Sequence, residues 1–142
     1  GAASATGWSG AACITGEDCT IEAGPGGICA ITADVATIVM TLSKAPKEGY
    51  LERFAMSTDW RPYLIKACDR LDNLRSLSGA DAAFRDKQVK ETREKYYPLF
   101  ERMLVLTPSE HLVRAQHVRD LILKTTERLA MASEIASRAV VV

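Results

Sequence analysis

The residues with the most chemistry lie between Lys66 and Ser76. Asp69, Asn73 and Ser76 recur about one helical turn apart, with Lys66 and Arg70 beside them. On a helix this spacing puts all five on one stripe, opposite Leu64, Leu71 and Leu74. An acid, an amide and a hydroxyl in line offer a ligand for a hard cation, a neutral hydrogen-bonding group and a small polar contact. The flanking lysine and arginine could neutralise phosphate. The same residue types also describe an ordinary solvated helix face, so the stripe alone does not decide between the two.

The elements that must position this stripe are helical. Ser57-Thr58-Asp59 forms a capping cluster for a helix whose expected buried side is Leu64, Ile65, Cys68, Leu71 and Leu74, stopping near Ser78-Gly79. Upstream, Thr32 or Asp34 can cap a helix through Val35, Ile38, Val39 and Leu42, broken after Lys44 by Ala45-Pro46-Lys47-Glu48-Gly49. Tyr50 to Met56 makes a short helical segment. Downstream, Ala82 to Met103 is predicted helical with an interruption at Pro98, and a last helix spans Ser109 to Ala139. Its expected apolar stripe is Leu112, Val113, Leu121, Ile122, Leu129, Ile135 and Ala136. No stretch alternates as a strand does, so the expected class is all-α.

Bulk composition is that of one ordinary soluble domain: 142 residues, 47% hydrophobic, 25% charged, with 18 basic and 18 acidic side chains. The balance conceals an asymmetry. Residues 1–43 hold Glu17, Asp18, Glu22 and Asp34 and no Lys, Arg or His, so they carry −4 and the remainder +4. Most of the glycines and Cys13, Cys19 and Cys29 also fall in this stretch. Residues 1–31 are therefore expected to form a Gly- and Cys-rich acidic leader, and residues 32–142 a helical body. The cysteine spacings match no standard zinc pattern, and reduced structural thiols in a cytoplasmic protein are the expectation. Gly24-Pro25-Gly26-Gly27 fits neither phosphate-loop pattern and reads as a turn. Zero net charge and the lack of a long apolar run speak against a nucleic-acid polymer or a membrane as partner.

The segment Leu64 to Leu77, with its KxxDRxxN core, resembles the corresponding helix of HD-domain phosphohydrolases, most closely the (p)ppGpp hydrolase domain of RelA/SpoT proteins. The flanks are similar too: Val39-Met40-Thr41-Leu42-Ser43-Lys44 upstream, and the ETxxxYxPL pattern of Glu91 to Leu99 downstream. The resemblance covers about residues 32–104 and implies an HD-like helical bundle, here without its first helices.

For individual residues, the resemblance implies that Asp69 is the last ligand of a divalent metal, Mn or Mg. Asn73 is implied to help hold the nucleotide and the attacking water, and Ser76 to lie beside the ribose. Lys66 and Arg70 are implied to form salt bridges or contact phosphate. The family's reaction is metal-assisted hydrolysis, in which the cation lowers the pKa of bound water from about 16 toward about 7. A guanosine polyphosphate or other nucleotide is the expected ligand, and the basic excess of the body suits it.

The family's other ligands, an early His and a His-Asp pair upstream, have no counterpart. The two histidines here, His111 and His117, both follow the motif, and their six-residue spacing is not that of a helical metal pair. Three readings result: a phosphohydrolase with part of its metal site elsewhere, a non-catalytic nucleotide sensor or interaction module, and a plain helical bundle. Open apolar faces, above all on the last helix with Leu129, Met131 and Ile135, also make a homo-oligomer an expectation.

Overall fold

The computed structural model describes residues 28–141, all of whose regular elements are helical. The Gly24–Gly27 turn, Cys13 and Cys19 lie outside the described residues, as does the side chain of Cys29. The chain divides into two compact units, residues 1–45 and 46–142.

In the first unit, helix α1 runs Ile28–Leu42. It starts upstream of the expected caps, so Thr32 and Asp34 are interior positions. Nothing between Ile28 and Asp34 breaks a helix, and propagation from an existing turn costs less than starting one. Thr37 and Thr41 donate their hydroxyls to the carbonyls of Ala33 and Thr37 at 3.0 and 2.9 Å, which keeps both polar groups satisfied along the helix. Val35 and Val39 of the expected apolar side are exposed, whereas Ile38 and Leu42 are half-buried.

The second unit holds α2 (Tyr50–Ala55), α3 (Trp60–Arg75), a 3₁₀ turn (Ser76–Gly79), α4 (Ala82–Glu91), a π-helical turn (Thr92–Tyr96), α5 (Tyr97–Leu106) and α6 (Ser109–Val141). Helix α3 is central, packing against both α5 and α6, while α4 lies along α6. Gly49 adopts φ 66° to admit the chain to α2, a left-handed conformation in which a side chain is strained. The guanidinium of Arg53 closes that corner by donating to the carbonyls of Pro46 and Glu48.

Asp59 starts α3 as expected. Its carboxylate accepts the Arg61 backbone N–H at 3.0 Å and takes the Arg61 guanidinium in a fork at 2.8–3.2 Å. These Arg61 hydrogen bonds hold the Asp59 carboxyl below its ordinary value. A carboxyl with a lowered folded-state pKa stabilises the fold above its unfolded value of about 3.9, and that contribution disappears as pH falls through the folded value. Asp59→Ala is therefore expected to cost about 1–2 kcal/mol at neutral pH. In urea titrations the gap from wild type should close below about pH 4, and a gap independent of pH would contradict the assignment.

The buried side of α3 is rotated from the expected one. Tyr63, Lys66, Ala67, Arg70, Leu71 and Leu74 are buried, whereas Ile65 and Cys68 are exposed and Leu64 is half-buried. Tyr63 sets this register. Its ring is fully buried, edge-on to Phe54 at 4.9 Å between centroids, and its hydroxyl lies within bonding distance of the Phe54 and Ser57 carbonyls. With Tyr63 inward, helical spacing also turns residues 66, 70 and 74 inward.

The expected break near Pro98 takes the form of the π turn. Proline cannot donate the N–H that an α-helix requires and crowds the carbonyl four residues back, so Pro98 occupies the first turn of α5. Helix α5 then continues to Leu106, past the expected end at Met103. On α6 the buried residues are Ala115, Ile122, Thr126, Leu129 and Ser133, while Val113 and Ile135 of the expected stripe are exposed. Thr126 can be buried because its hydroxyl donates to the Ile122 carbonyl at 2.7 Å.

Candidate functional site

The expected five-residue stripe of α3 splits in two. Asp69, Asn73 and Ser76 remain exposed along one edge, whereas Lys66 and Arg70 turn inward and are each 6% exposed. This corrects the expectation of a single polar face opposite the leucines.

Lys66 Nζ donates to Asp69 Oδ2 at 3.1 Å, the one hydrogen bond of its ammonium among the described residues. Its remaining surroundings are aromatic: the ring centroids of Tyr50 and Tyr96 lie 6.0 and 5.8 Å from Nζ. Burial raises the Tyr50 phenol above its ordinary value, although nearby Lys66 pulls the other way. Tyr50 therefore meets the ammonium as a neutral ring. The Asp69 carboxylate bridges inside and outside, with one oxygen on Lys66 and its side chain 53% exposed.

Arg70 is held by a closer ring and a neutral acceptor. Its guanidinium carbon sits 3.7 Å from the Tyr96 ring centroid, and Nη1 donates to Gln88 Oε1 at 3.0 Å. Arg70 Nε is buried without a partner. Stacking on an aromatic face suits the planar, weakly hydrated guanidinium and lets a charge stay inside. Of the two roles expected for the basic pair, salt-bridging or phosphate contact, Lys66 forms the salt bridge, and Arg70 is directed to Tyr96 and Gln88.

The π turn supplies the shared ring. Tyr96 is its last residue and is buried, with its centroid 6.1 Å from that of Phe100. Thr92, at the start of the turn, donates its hydroxyl to the Gln88 carbonyl at 2.7 Å, so the backbone holding Gln88 is tied to the same irregularity. Tyr50, Gln88 and Tyr96 were not candidates from the sequence. Tyr96 lies inside the Glu91–Leu99 pattern, which was the available signal, but its partnership with residues 66 and 70 depends on tertiary packing.

The outer residues differ in their freedom. The Ser76 hydroxyl donates to the Asn73 carbonyl at 2.8 Å, closing the end of α3. Asn73 is exposed one turn beyond Asp69. His111 is elsewhere, stacked on Trp60 with centroids 4.9 Å apart and Nε2 3.4 Å from Glu110 Oε1. His117 is exposed.

Among the described residues, no group of three His, Cys, Asp or Glu side chains converges to hold a metal. Mg takes six oxygen ligands, of which the exposed carboxylates of this edge, Asp69 and Asp72, could supply only a part. The residues seen around Asp69 therefore do not by themselves fit the cation that the resemblance implies. Among the described residues, no helix is long and apolar enough to cross a membrane. No family model matches the chain, and no curated protein or solved structure matches it significantly.

Proposed function

We propose that the Asp69–Asn73–Ser76 edge of α3 is a nucleotide face of the HD phosphohydrolase kind, with guanosine polyphosphate as the leading ligand and Asp69 as one carboxylate toward a divalent cation, Mn or Mg. The observation that supports this reading is the Lys66–Asp69 pair. A buried ammonium anchors one oxygen of a carboxylate that otherwise faces solvent, which is how an outer partner orients a ligand. Asn73 extends the face with an amide that can both donate and accept. In the hydrolase reading, Asp69 is one ligand of a set that the described residues do not complete. The alternative is a non-catalytic nucleotide sensor or interaction module.

The test is equilibrium binding of guanosine tetraphosphate to the full chain, with and without Mn²⁺, alongside an assay for released pyrophosphate. The hydrolase reading expects Mn²⁺-dependent release that Asp69→Ala abolishes. Binding that weakens about tenfold or more in Asp69→Ala, with no release, establishes the sensor reading in its place. Absence of both binding and release in the wild type overturns the nucleotide face altogether.

A further inference from the structure

The outer face of α6 carries more charge than the fold uses. The buried residues of this helix, Ala115, Ile122, Thr126, Leu129 and Ser133, turn toward the bundle. On the opposite side Arg114, Leu121, Lys124, Arg128, Met131 and Ile135 follow one another at steps of seven, three, four, three and four, which aligns them in a seam about 30 Å long. All are exposed except half-buried Leu121, with Met131 and Ile135 at 64% and 65%. Beside the seam lies an open hollow of about 820 Å³, lined in part by Leu123, Lys124, Arg128 and Met131.

The cations of the seam have no acid of their own. Asp120, Glu127 and Glu134 border it along one edge, but each already holds another arginine: Asp120 takes Arg119 at 2.8 Å, Glu127 takes Arg93 at 2.9 Å and Glu134 takes Arg138 at 2.6 Å. Arg114, Lys124 and Arg128 make no hydrogen bond or ion pair among the described residues. Lys124 and Arg128 stand four apart, a spacing at which like charges weaken a helix. Stability of the fold therefore does not account for the arrangement, whereas an acidic partner would.

We propose that the outer face of α6 docks an amphipathic helix of a partner protein, whose apolar residues meet Leu121, Met131 and Ile135 and whose acids meet Arg114, Lys124 and Arg128. Steps of three and four are the repeat of a seam between two wound helices, in which side chains of one enter spaces on the other. A second copy of the chain is a poor occupant, because pairing this face with itself sets Lys124 and Arg128 against cations. A phosphate backbone or an anionic bilayer is broad and would also meet the row of Asp120, Glu127 and Glu134, whereas a helix covers a strip one side chain wide. The proposal is separate from the nucleotide reading of α3 and does not depend on it.

The experiment measures binding to the full chain, by fluorescence anisotropy, of a labelled peptide of about 21 residues, long enough to follow the seam. The peptide has Leu at its a and d positions and Glu at e and g, and a matched control has Lys at e and g. The acidic peptide should bind at least about tenfold more tightly than the basic one, and high salt should shrink that preference. Lys124→Glu with Arg128→Glu should weaken it by about tenfold or more, and Met131→Ser with Ile135→Ser should weaken it as well. Arg75→Glu with Lys87→Glu makes the same change in net charge at exposed residues of α3 and α4 and should leave affinity within about twofold. Circular dichroism should match wild type throughout, and Lys124→Ala with Arg128→Ala, which favours the helix, repeats the test if the reversal unfolds.

No binding of the acidic peptide, equal binding of both peptides, or a charge reversal that leaves affinity within about twofold would each overturn the proposal. So would self-association, or binding to phosphatidylserine vesicles or duplex DNA, that Lys124→Glu with Arg128→Glu abolishes, since a second copy or an anionic surface would then be the occupant.

Discussion

Tyr96→Ala is expected to lower the free energy of unfolding by about 3–5 kcal/mol, the range for truncating a large buried aromatic side chain. The ring is 4% exposed, and the substitution removes more than packing volume. Arg70 loses the face on which its guanidinium is stacked at 3.7 Å, and Lys66 loses one of two rings around its ammonium. Both charges would remain buried or draw water into the gap, and a buried cation without compensation is strongly destabilising. Domains of this size are stable by roughly 5–15 kcal/mol, so the variant should be near the edge of folding. Tyr96→Phe is the control: it keeps the ring and should stay within about 1 kcal/mol of wild type. The measurement is urea unfolding followed by tryptophan fluorescence and far-UV circular dichroism. Equal losses in the two variants would show that the hydroxyl, and not the ring under the cations, is what matters.

The second large effect belongs to Tyr63→Phe, which removes a single oxygen. The Tyr63 hydroxyl is a junction of three segments. It lies 3.0 and 2.9 Å from the Phe54 and Ser57 carbonyls, which share its single proton, and it accepts from Arg102 Nε at 3.1 Å. Arg102 Nη2 also reaches the Ser57 carbonyl, at a longer 3.4 Å. Deleting the hydroxyl leaves the Arg102 Nε–H without its acceptor and takes one donor from carbonyls that keep a second, Ser57 N–H on Phe54 and Arg102 Nη2 on Ser57. A stranded polar group of this kind costs about 1–3 kcal/mol, and a loss in that range is expected. Because the same hydroxyl joins the end of α2 and the residue 57 loop to α5, hydrogen exchange should accelerate at Phe54 to Asp59 more than along α6. A loss under about 0.5 kcal/mol would mean that water replaces the hydroxyl without penalty.

The two predictions converge on α3 for a common reason. Tyr63 fixes the helix's rotation about its own axis, and that rotation carries Lys66 and Arg70 toward Tyr96. Were Leu64, Ile65 and Cys68 the buried side, as hydrophobicity alone suggests, Lys66 and Arg70 would sit with Asp69 on a solvated face. Phosphate contact would then be their natural role. The observed rotation divides the stripe into an inner cationic pair and an outer edge of Asp69, Asn73 and Ser76. This division leaves Asp69, Asn73 and Ser76 as the accessible part of the stripe.

Local signals in the sequence determined the class and most of the element boundaries. Asp59 before an amphipathic run, the breaker at Ala45 to Gly49, the stop at Ser78-Gly79 and Pro108 ahead of Ser109 each act through the backbone of a few neighbouring residues. Such effects survive in any tertiary setting. The start of α1 was misplaced because Thr32 and Asp34 can cap a helix or lie within one, and the sequence does not say which.

The inside and outside of α3 and α6 were decided only by tertiary structure. Val113 and Ile135 read as core and are exposed, Lys66 and Arg70 read as part of a polar face and are buried, and Thr126 and Ser133, outside the expected apolar stripe, are buried as well. Helical periodicity specifies which residues share a face, but not which face the rest of the chain covers. A polar residue enters the core where a neighbour meets it: Arg85 for Ser133 at 3.0 Å, the helix's own carbonyl for Thr126, and, with Nε still unpartnered, Tyr96 and Gln88 for Arg70. Those partners lie up to 48 residues away in sequence. That Asp69, Asn73 and Ser76 share one exposed edge was thus legible from spacing, whereas the aromatic surroundings of Lys66 exist only once α2, α3 and the π turn meet.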